Sequence, residues 1–81
     1  MKTIFVLNHW WVLVGSPIEH KDDTITLDNA AVIRRWGTTK GLGQLASDGP
    51  TSDTVLDPQG VTVINRSAVL FRLACNPDKW P

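Results

Sequence analysis

The segment VIRRWGTTKGLGQLASDG, residues 32–49, combines a strand end, a glycine-bearing turn and one short helix. Its first residues, Val32 and Ile33, are β-branched and favour a strand. A stripe of apolar residues spaced i, i+3 and i+4 follows the turn and predicts a short amphipathic helix, formed by Leu42, Leu45 and Ala46. Because Gly49 and Pro50 together stop a helix, we expect this helix to end there.

On either side of this segment the sequence predicts short strands. Runs rich in β-branched, aromatic or alternating apolar residues occupy 3–14, 24–27, 31–36, 54–57, 61–64 and 67–75. The first run is apolar on both faces, so we expect one doubly buried strand with a bulge at Asn8 and His9. Asp28 and Asn29 predict a turn. The two runs beside residues 57–60 form either a hairpin or one interrupted strand.

Together these patterns predict the fold class. Five or six short strands and one short helix indicate a mainly β domain, folded as a small, strongly bent sheet or as an SH3-like barrel. The 81 residues suffice for a single domain, residues 1–81, with a modest core. Hydrophobic residues make up 42% of the chain, which is typical of a folded protein.

Charge and cysteine content exclude several classes of protein. Eight basic and eight acidic residues give a net charge of zero, which argues against nucleic-acid binding because such proteins neutralise phosphates with Lys and Arg. Cys75 is the single cysteine, so no internal disulfide is expected. An apolar run follows Lys2, but Asn8 and His9 interrupt it and no A-x-A-like cleavage site follows. Since this run is also too short for a transmembrane helix, we expect no membrane association.

Tryptophan is frequent, with four residues, whereas tyrosine is absent. Indoles are large and carry an N–H group that needs a partner, so they tend to lie at core edges, pockets and interfaces. A core of this size cannot hide all four of them. We therefore expect a homo-oligomer whose interface includes Trp10, Trp11 and Trp80.

The basic and aromatic residues at 34–36 are the main candidates for ligand binding. On a strand, Arg34 and Trp36 share one face while Arg35 points to the other. An arginine beside a tryptophan permits stacking together with bidentate recognition of an anion. The turn that follows can hold a phosphate through backbone N–H groups and polar side chains, those of Thr38, Thr39 and Lys40. Its spacing matches neither the P-loop nor the dinucleotide-binding fingerprint.

Two other interpretations of these residues remain open. In the first, an arginine forms a structural salt bridge to an aspartate, Trp36 packs in the core, and the turn is only a tight connection between strand and helix. In the second, the arginines and the indole hold subunits together.

The sequence contains no pattern typical of catalysis or metal binding. His9 and His20 are the only histidines, and neither they nor Cys75 have the spacing of a zinc site. The acidic residues lie mainly in predicted turns, whereas acid–base catalysis needs two groups in different environments within one cleft. We expect no metal site, no cofactor and no enzymatic activity.

The segment from Asn29 to Gly49 resembles a pattern found in small uncharacterised proteins of phages and prophages. In that pattern an Asn/Ala–Arg–aromatic strand leads to a Trp/Gly turn and a short Leu-x-x-Leu-Ala-x-x-Gly helix. Here the matching residues are Asn29–Trp36, Gly37, Leu42, Leu45, Ala46 and Gly49. The resemblance covers the middle third of the chain. It implies an accessory protein of a phage or mobile element in the cytoplasm of the bacterial host, and it brings no known activity.

These observations lead to one functional hypothesis and one alternative. The hypothesis is a non-enzymatic, homo-oligomeric protein that sequesters a nucleotide-like anionic molecule, such as a cyclic nucleotide or an ADP-ribose-type immune signal. Arg34 and Arg35 would bind phosphate and Trp36 would stack on the base, with the rim formed by Thr38, Thr39 and Lys40. The alternative is a protein–protein interaction module that acts on a host or phage protein.

Overall fold

A computed structural model describes residues 1–80, which form a single antiparallel sheet and one short helix. The elements are β1 (Thr3–Leu7), β2 (Val12–Glu19), β3 (Thr24–Arg35), α1 (Leu42–Asp48), β4 (Val55–Asn65) and β5 (Val69–Ala74), with a tight turn at Asn8–Trp10 and a 3-10 turn at Arg66–Ala68. The strand order is β4-β3-β2-β1-β5. The mainly β class with one short helix is confirmed, and of the two architectures the strongly bent sheet is the observed one, since the sheet does not close into a barrel.

Residues 3–14 form a hairpin, so the prediction of one bulged strand was wrong. β1 pairs with β2 in antiparallel register, with Ile4 opposite Val14 and Val6 opposite Val12. Both strands lie inside the sheet, and β1 and the first half of β2 are buried on both faces. The apolar pattern is therefore the same before and after the turn and does not indicate it. The chain reverses at His9 and Trp10, whose φ angles are 60° and 63°.

The sheet bends along a line that crosses β2, β3 and β4. In β3 the predicted turn at Asp28 and Asn29 is instead a bulge, where two residues of β3 oppose one residue of each neighbouring strand. Opposite it in β2 lies Gly15, where an added Cβ atom would make a tight contact of 3.1 Å with the Leu27 Cβ. In β4, residues 57–60 continue the strand with a left-handed Gly60 at φ 72°, so the interrupted-strand alternative is correct.

The bend creates two apolar clusters, one on each face of the sheet. On the first face the helix covers the central strands, and its buried residues Leu42, Leu45 and Ala46 pack against them. On the second face no helix covers the strands, and side chains of β1 to β4 pack against one another. There Phe5 and Leu27 are fully buried in one cluster with Ile64.

Two salt bridges connect the end of β2 to β5 and to the 3-10 turn before it. The Glu19 carboxylate accepts hydrogen bonds from Arg66 Nη2 at 2.9 Å and from Arg72 Nη1 at 2.7 Å. The Arg72 guanidinium also lies 4.9 Å from the centroid of the Phe5 ring. Hydrogen bonds from Arg66, and then from Arg72, hold the pKa of Glu19 below its usual value.

The end of the described chain returns to the first face and closes the core there. Trp80 is only 4% exposed, and its Nε1 donates a hydrogen bond to the Leu45 carbonyl oxygen at 3.0 Å. The indole packs beneath the helix, so Trp80 is not on a surface open to a second subunit, as its assignment to an interface had assumed. Cys75 is buried in the same cluster, and burial raises the pKa of its thiol.

Candidate functional site

A cavity of about 250 Å³ opens on the first face of the sheet, between the helix and the β1–β2 turn. We call it the aromatic cavity. Its lining side chains come from four strands, the hairpin turn, the residue after β3 and the start of the helix: Val6, Trp10, Val12, Ile33, Arg34, Trp36, Leu42 and Phe71. The sheet and the helix supply an aliphatic floor, and three aromatic side chains and one guanidinium surround it.

The three aromatic side chains are open to solvent. Trp10 is 77% exposed, Phe71 is 50% exposed and Trp36 is 41% exposed. They come from the hairpin turn, from the edge strand β5 and from the residue after β3. Aromatic faces held around one opening can stack on a planar ring or enclose an apolar side chain.

Trp10 is held at this opening by a turn that is unfavourable for its residue type. His9 has φ 60° and ψ 20°, and Trp10 has φ 63°. These are two of the three residues of the hairpin loop, which Leu7 and Trp11 close with a backbone hydrogen bond, and positive φ is uncommon for residues other than glycine and asparagine. A non-glycine residue in this region is strained by roughly 1–2 kcal/mol. Strain of this kind is frequent at binding sites, where it sets the direction of a functional side chain.

Arg34 is the one charged residue of the lining. Its Nη1 lies 3.3 Å from Asp57 Oδ2, and the two side chains are 65% and 46% exposed. An exposed ion pair of this length contributes roughly 0–1 kcal/mol, so an anionic ligand competes with it easily. The pair matches the structural salt bridge considered for these arginines, but Trp36 is exposed at the cavity and does not pack in the core.

The structure brings Arg34 and Trp36 to the same cavity and leaves Arg35 outside it. The register of β3 against β4 shifts at this point, since Ile33 pairs with Leu56 and Arg35 pairs with the next residue, Val55. Arg34 is therefore the extra residue of an irregularity. Its side chain joins that of Ile33 in the lining.

The polar residues of the turn also lie outside the cavity. The Thr38 hydroxyl donates to the Lys40 carbonyl oxygen at 2.7 Å, and the Lys40 N–H donates to Gln44 Oε1 at 2.7 Å. Thr39 Oγ1 lies 3.3 Å from the same Gln44 oxygen. These groups build the entry to α1. The structure therefore leaves their assignment to the rim of a ligand site without support.

Sequence reasoning missed Phe71 and assigned Trp10 to a different role. Phe71 reaches the cavity because β5 pairs with β1, where it stands opposite Val6. Trp10 was expected at a subunit interface together with Trp11, which is 58% exposed and lies outside the lining. A hairpin assignment for residues 3–14 would have placed Trp10 at a turn beside the strand ends.

A metal-binding cluster and a membrane-spanning helix are absent from the described residues. Among residues 1–80, no three His, Cys, Asp or Glu side chains come close enough to hold a metal ion. No helix in that range is long and apolar enough to cross a membrane. A scan against protein-family models finds no match to the chain. A search of curated proteins likewise finds none that matches.

Proposed function

We propose that this chain is a non-enzymatic binding protein that sequesters a nucleotide-like ligand with one anionic group, held in the aromatic cavity. One observation carries the proposal: the indoles of Trp10 and Trp36 and the guanidinium of Arg34 line a single cavity of about 250 Å³. Stacking of a base on an aromatic side chain contributes about 1–3 kcal/mol. A guanidinium beside the ring pairs with a phosphate of the same molecule.

The size and charge of the cavity narrow the ligand class. Sites for drug-sized molecules usually measure about 300–1,000 Å³, so about 250 Å³ accommodates one base rather than two. Arg34 is the single cation of the lining, since Arg35 and Lys40 lie elsewhere. A cyclic mononucleotide fits these limits better than a dinucleotide. Of an ADP-ribose-type molecule, only the adenine end would enter.

The chemistry of the lining supports binding without turnover. The lining side chains are aliphatic, aromatic or guanidinium, with no carboxylate, imidazole, hydroxyl or thiol among them. Such a set cannot exchange protons with a ligand at neutral pH, because arginine stays protonated. In the phage setting that the resemblance of residues 29–49 implies, a binder of this kind would withdraw a host immune signal by holding it.

Isothermal titration calorimetry with 3′,5′-cyclic AMP, its guanine, cytosine and uracil counterparts, and the matching nucleosides tests the proposal. Arg34→Gln should weaken nucleotide binding by about 10- to 100-fold, the loss of a charged hydrogen bond, and leave nucleoside binding unchanged. Arg35→Gln removes the same charge outside the cavity and serves as the matched control. Trp36→Ala should weaken both ligand types. If no nucleotide binds, or if the two arginine variants behave alike, the proposal is wrong.

A protein partner is the second candidate, and the exposure of Trp10 favours it. A tryptophan that is 77% exposed at a turn tip is the type of side chain that anchors protein interfaces. In this case no nucleotide raises the melting temperature. The tagged chain captures a defined protein from host lysate, and the Trp10→Ala variant fails to capture it.

A further inference from the structure

The polar groups in the lining of the aromatic cavity are all hydrogen-bond donors. Trp10 and Trp36 contribute indole N–H groups, and Arg34 contributes its guanidinium. An indole and a guanidinium donate hydrogen bonds and accept none. The remaining side chains of the lining are hydrocarbon. A ligand in this cavity therefore meets side-chain donors and no side-chain acceptor.

Carbonyl oxygens at the border of the cavity already accept hydrogen bonds within the chain. The Trp36 carbonyl oxygen accepts one from the Thr54 hydroxyl at 2.7 Å, and the Trp11 carbonyl oxygen accepts one from the Leu7 N–H at 2.8 Å. Beneath the cavity, β1 pairs with β2 and with β5, so the backbone groups of these strands bond to one another in the plane of the sheet. These backbone acceptors are thus used by the chain itself.

The Asp57 carboxylate contacts a lining residue but lies outside the lining. Its Oδ2 accepts a hydrogen bond from Arg34 Nη1 at 3.3 Å. This oxygen is therefore directed at the guanidinium and not into the cavity. A ligand that pairs with Arg34 competes with the carboxylate for the guanidinium, whereas the side chains at the bottom of the cavity still offer it no acceptor.

The exposure of the lining residues determines how a nucleotide would enter. The Arg34 side chain is 65% exposed, so a phosphate paired with it stays on the solvent side. The floor of the cavity, formed by Val6, Val12 and Ile33, is buried. Because the sugar links the phosphate to the base, the edge of the base farthest from the sugar lies deepest, against this aliphatic floor.

We propose that the aromatic cavity selects a purine nucleotide by the N–H donors on the far edge of its base, and that it binds adenine in preference to guanine. This inference rests on the proposed function, since it concerns the ligand of the same site. The far edge of guanine carries the N1–H and the 2-amino group. In adenine N1 is an acceptor, and only the 6-amino group donates. A donor that is buried without an acceptor loses its hydrogen bonds to water, so each such group lowers the affinity.

Titration calorimetry with three cyclic nucleotides tests this selection on the unmodified chain. The 3′,5′-cyclic monophosphates of purine riboside, adenosine and guanosine share the sugar and the phosphate, and their bases carry no, one and two N–H donor groups. The dissociation constant should rise in this order, by about fivefold or more at each step. If the guanosine compound binds as tightly as the purine compound, or more tightly, the inference is wrong and the proposed function stands. If none of the three binds, the proposed function is itself wrong.

A new acceptor in the floor should weaken the selection. Val12→Thr keeps the size of the side chain and adds a hydroxyl oxygen that can accept a hydrogen bond from the base. The ratio of the guanosine to the purine dissociation constant should fall by about fivefold or more. Val14→Thr is the matched control, because Val14 is buried in the same cluster and on the same strand but does not line the cavity. An equal ratio in the two variants overturns the inference.

Asp57→Ala tests whether the carboxylate beside Arg34 accepts a hydrogen bond from the base. The substitution removes this acceptor, and the ratio of the guanosine to the purine dissociation constant should stay the same, because the far edge of the base lies against the aliphatic floor. A ratio that rises in Asp57→Ala shows that the carboxylate binds guanine and overturns the inference. Thermal unfolding followed by circular dichroism establishes that each variant is folded during the titrations, and the three nucleotides on the unmodified chain decide the matter if a variant is not.

Discussion

The strained turn that holds Trp10 at the aromatic cavity predicts which of two substitutions, glycine or alanine, leaves the more stable protein. Trp10 has φ 63°, where a non-glycine residue is strained by roughly 1–2 kcal/mol and glycine is not. In ordinary strand or helix conformations alanine is favoured over glycine by about 0.5–1 kcal/mol. At this position the order should reverse, so that Trp10→Gly is more stable than Trp10→Ala by roughly 0.5–1 kcal/mol, the difference of the two effects.

Urea unfolding followed by far-UV circular dichroism measures this difference. Both variants remove the same indole and the same wall of the cavity, so their difference isolates the backbone. In a domain of this size the expected gap corresponds to a melting-temperature difference of about 2–8 °C. If Trp10→Ala is as stable as Trp10→Gly, the left-handed turn does not hold the indole in place. His9 also has a positive φ, and asparagine adopts this conformation more readily. His9→Asn should therefore raise the free energy of unfolding in the same experiment and leave ligand affinity unchanged.

Three further predictions each concern the substitution of one residue. Asp57→Asn frees the guanidinium at the cavity and should raise affinity for an anionic ligand by up to about fivefold, measured by titration calorimetry; a loss of affinity would contradict it. Hydrogen bonds from two arginines lower the pKa of Glu19 in the folded protein. The carboxylate therefore stabilises the fold at pH values above its unfolded pKa. This stabilisation is lost as the pH falls through the lower pKa of the folded state. Glu19→Gln should thus be less stable than the unmodified chain at neutral pH and equal to it in acid, by urea unfolding; an equal deficit at both pH values would refute this. Gly37→Ala should destabilise by about 1–3 kcal/mol, because φ is 69° and the new Cβ would lie 2.4 Å from the backbone of residue 53. Gly43→Ala, whose Cβ meets nothing within 4 Å, is its control and should be slightly stabilising.

The parts of the fold that were predictable from the sequence are those set by local signals. The helix is confirmed at Leu42–Asp48 because an apolar stripe and a glycine stop act within a few residues of each other. The hairpin at residues 3–19 was missed because its turn lacks an Asn-Gly signal and is formed by His9 and Trp10. The Asp28–Asn29 turn was wrong for a related reason, since the residues that favour turns also tolerate the left-handed conformation of a bulge. Asn29 has φ 48° there.

The residues of the candidate site also differ in whether local sequence identifies them. Arg34 and Trp36 were identified because they lie two residues apart in one segment of sequence. Phe71 was not, because its place depends on the pairing of β5 with β1, which no local pattern encodes. Trp80 was assigned to an interface because a core of this size was not expected to hide four indoles. Whether an indole is covered by its own chain depends on the path of the residues that carry it, and residues 76–80 place Trp80 against the helix.

The length of the helix explains why a cavity lies at this position. α1 has seven residues and is therefore about 10 Å long, whereas the five residues of β1 span about 17 Å. Leu42, the first residue of the helix, and Trp10 of the hairpin turn both line the cavity, so the cavity lies between the start of the helix and the hairpin. Trp10, Trp36 and Phe71 stand around this cavity, yet each stays at least 41% exposed, so they cover it incompletely. A ligand with a planar ring would bury these aromatic faces. Its binding would be favoured by the free energy of removing that apolar surface from water.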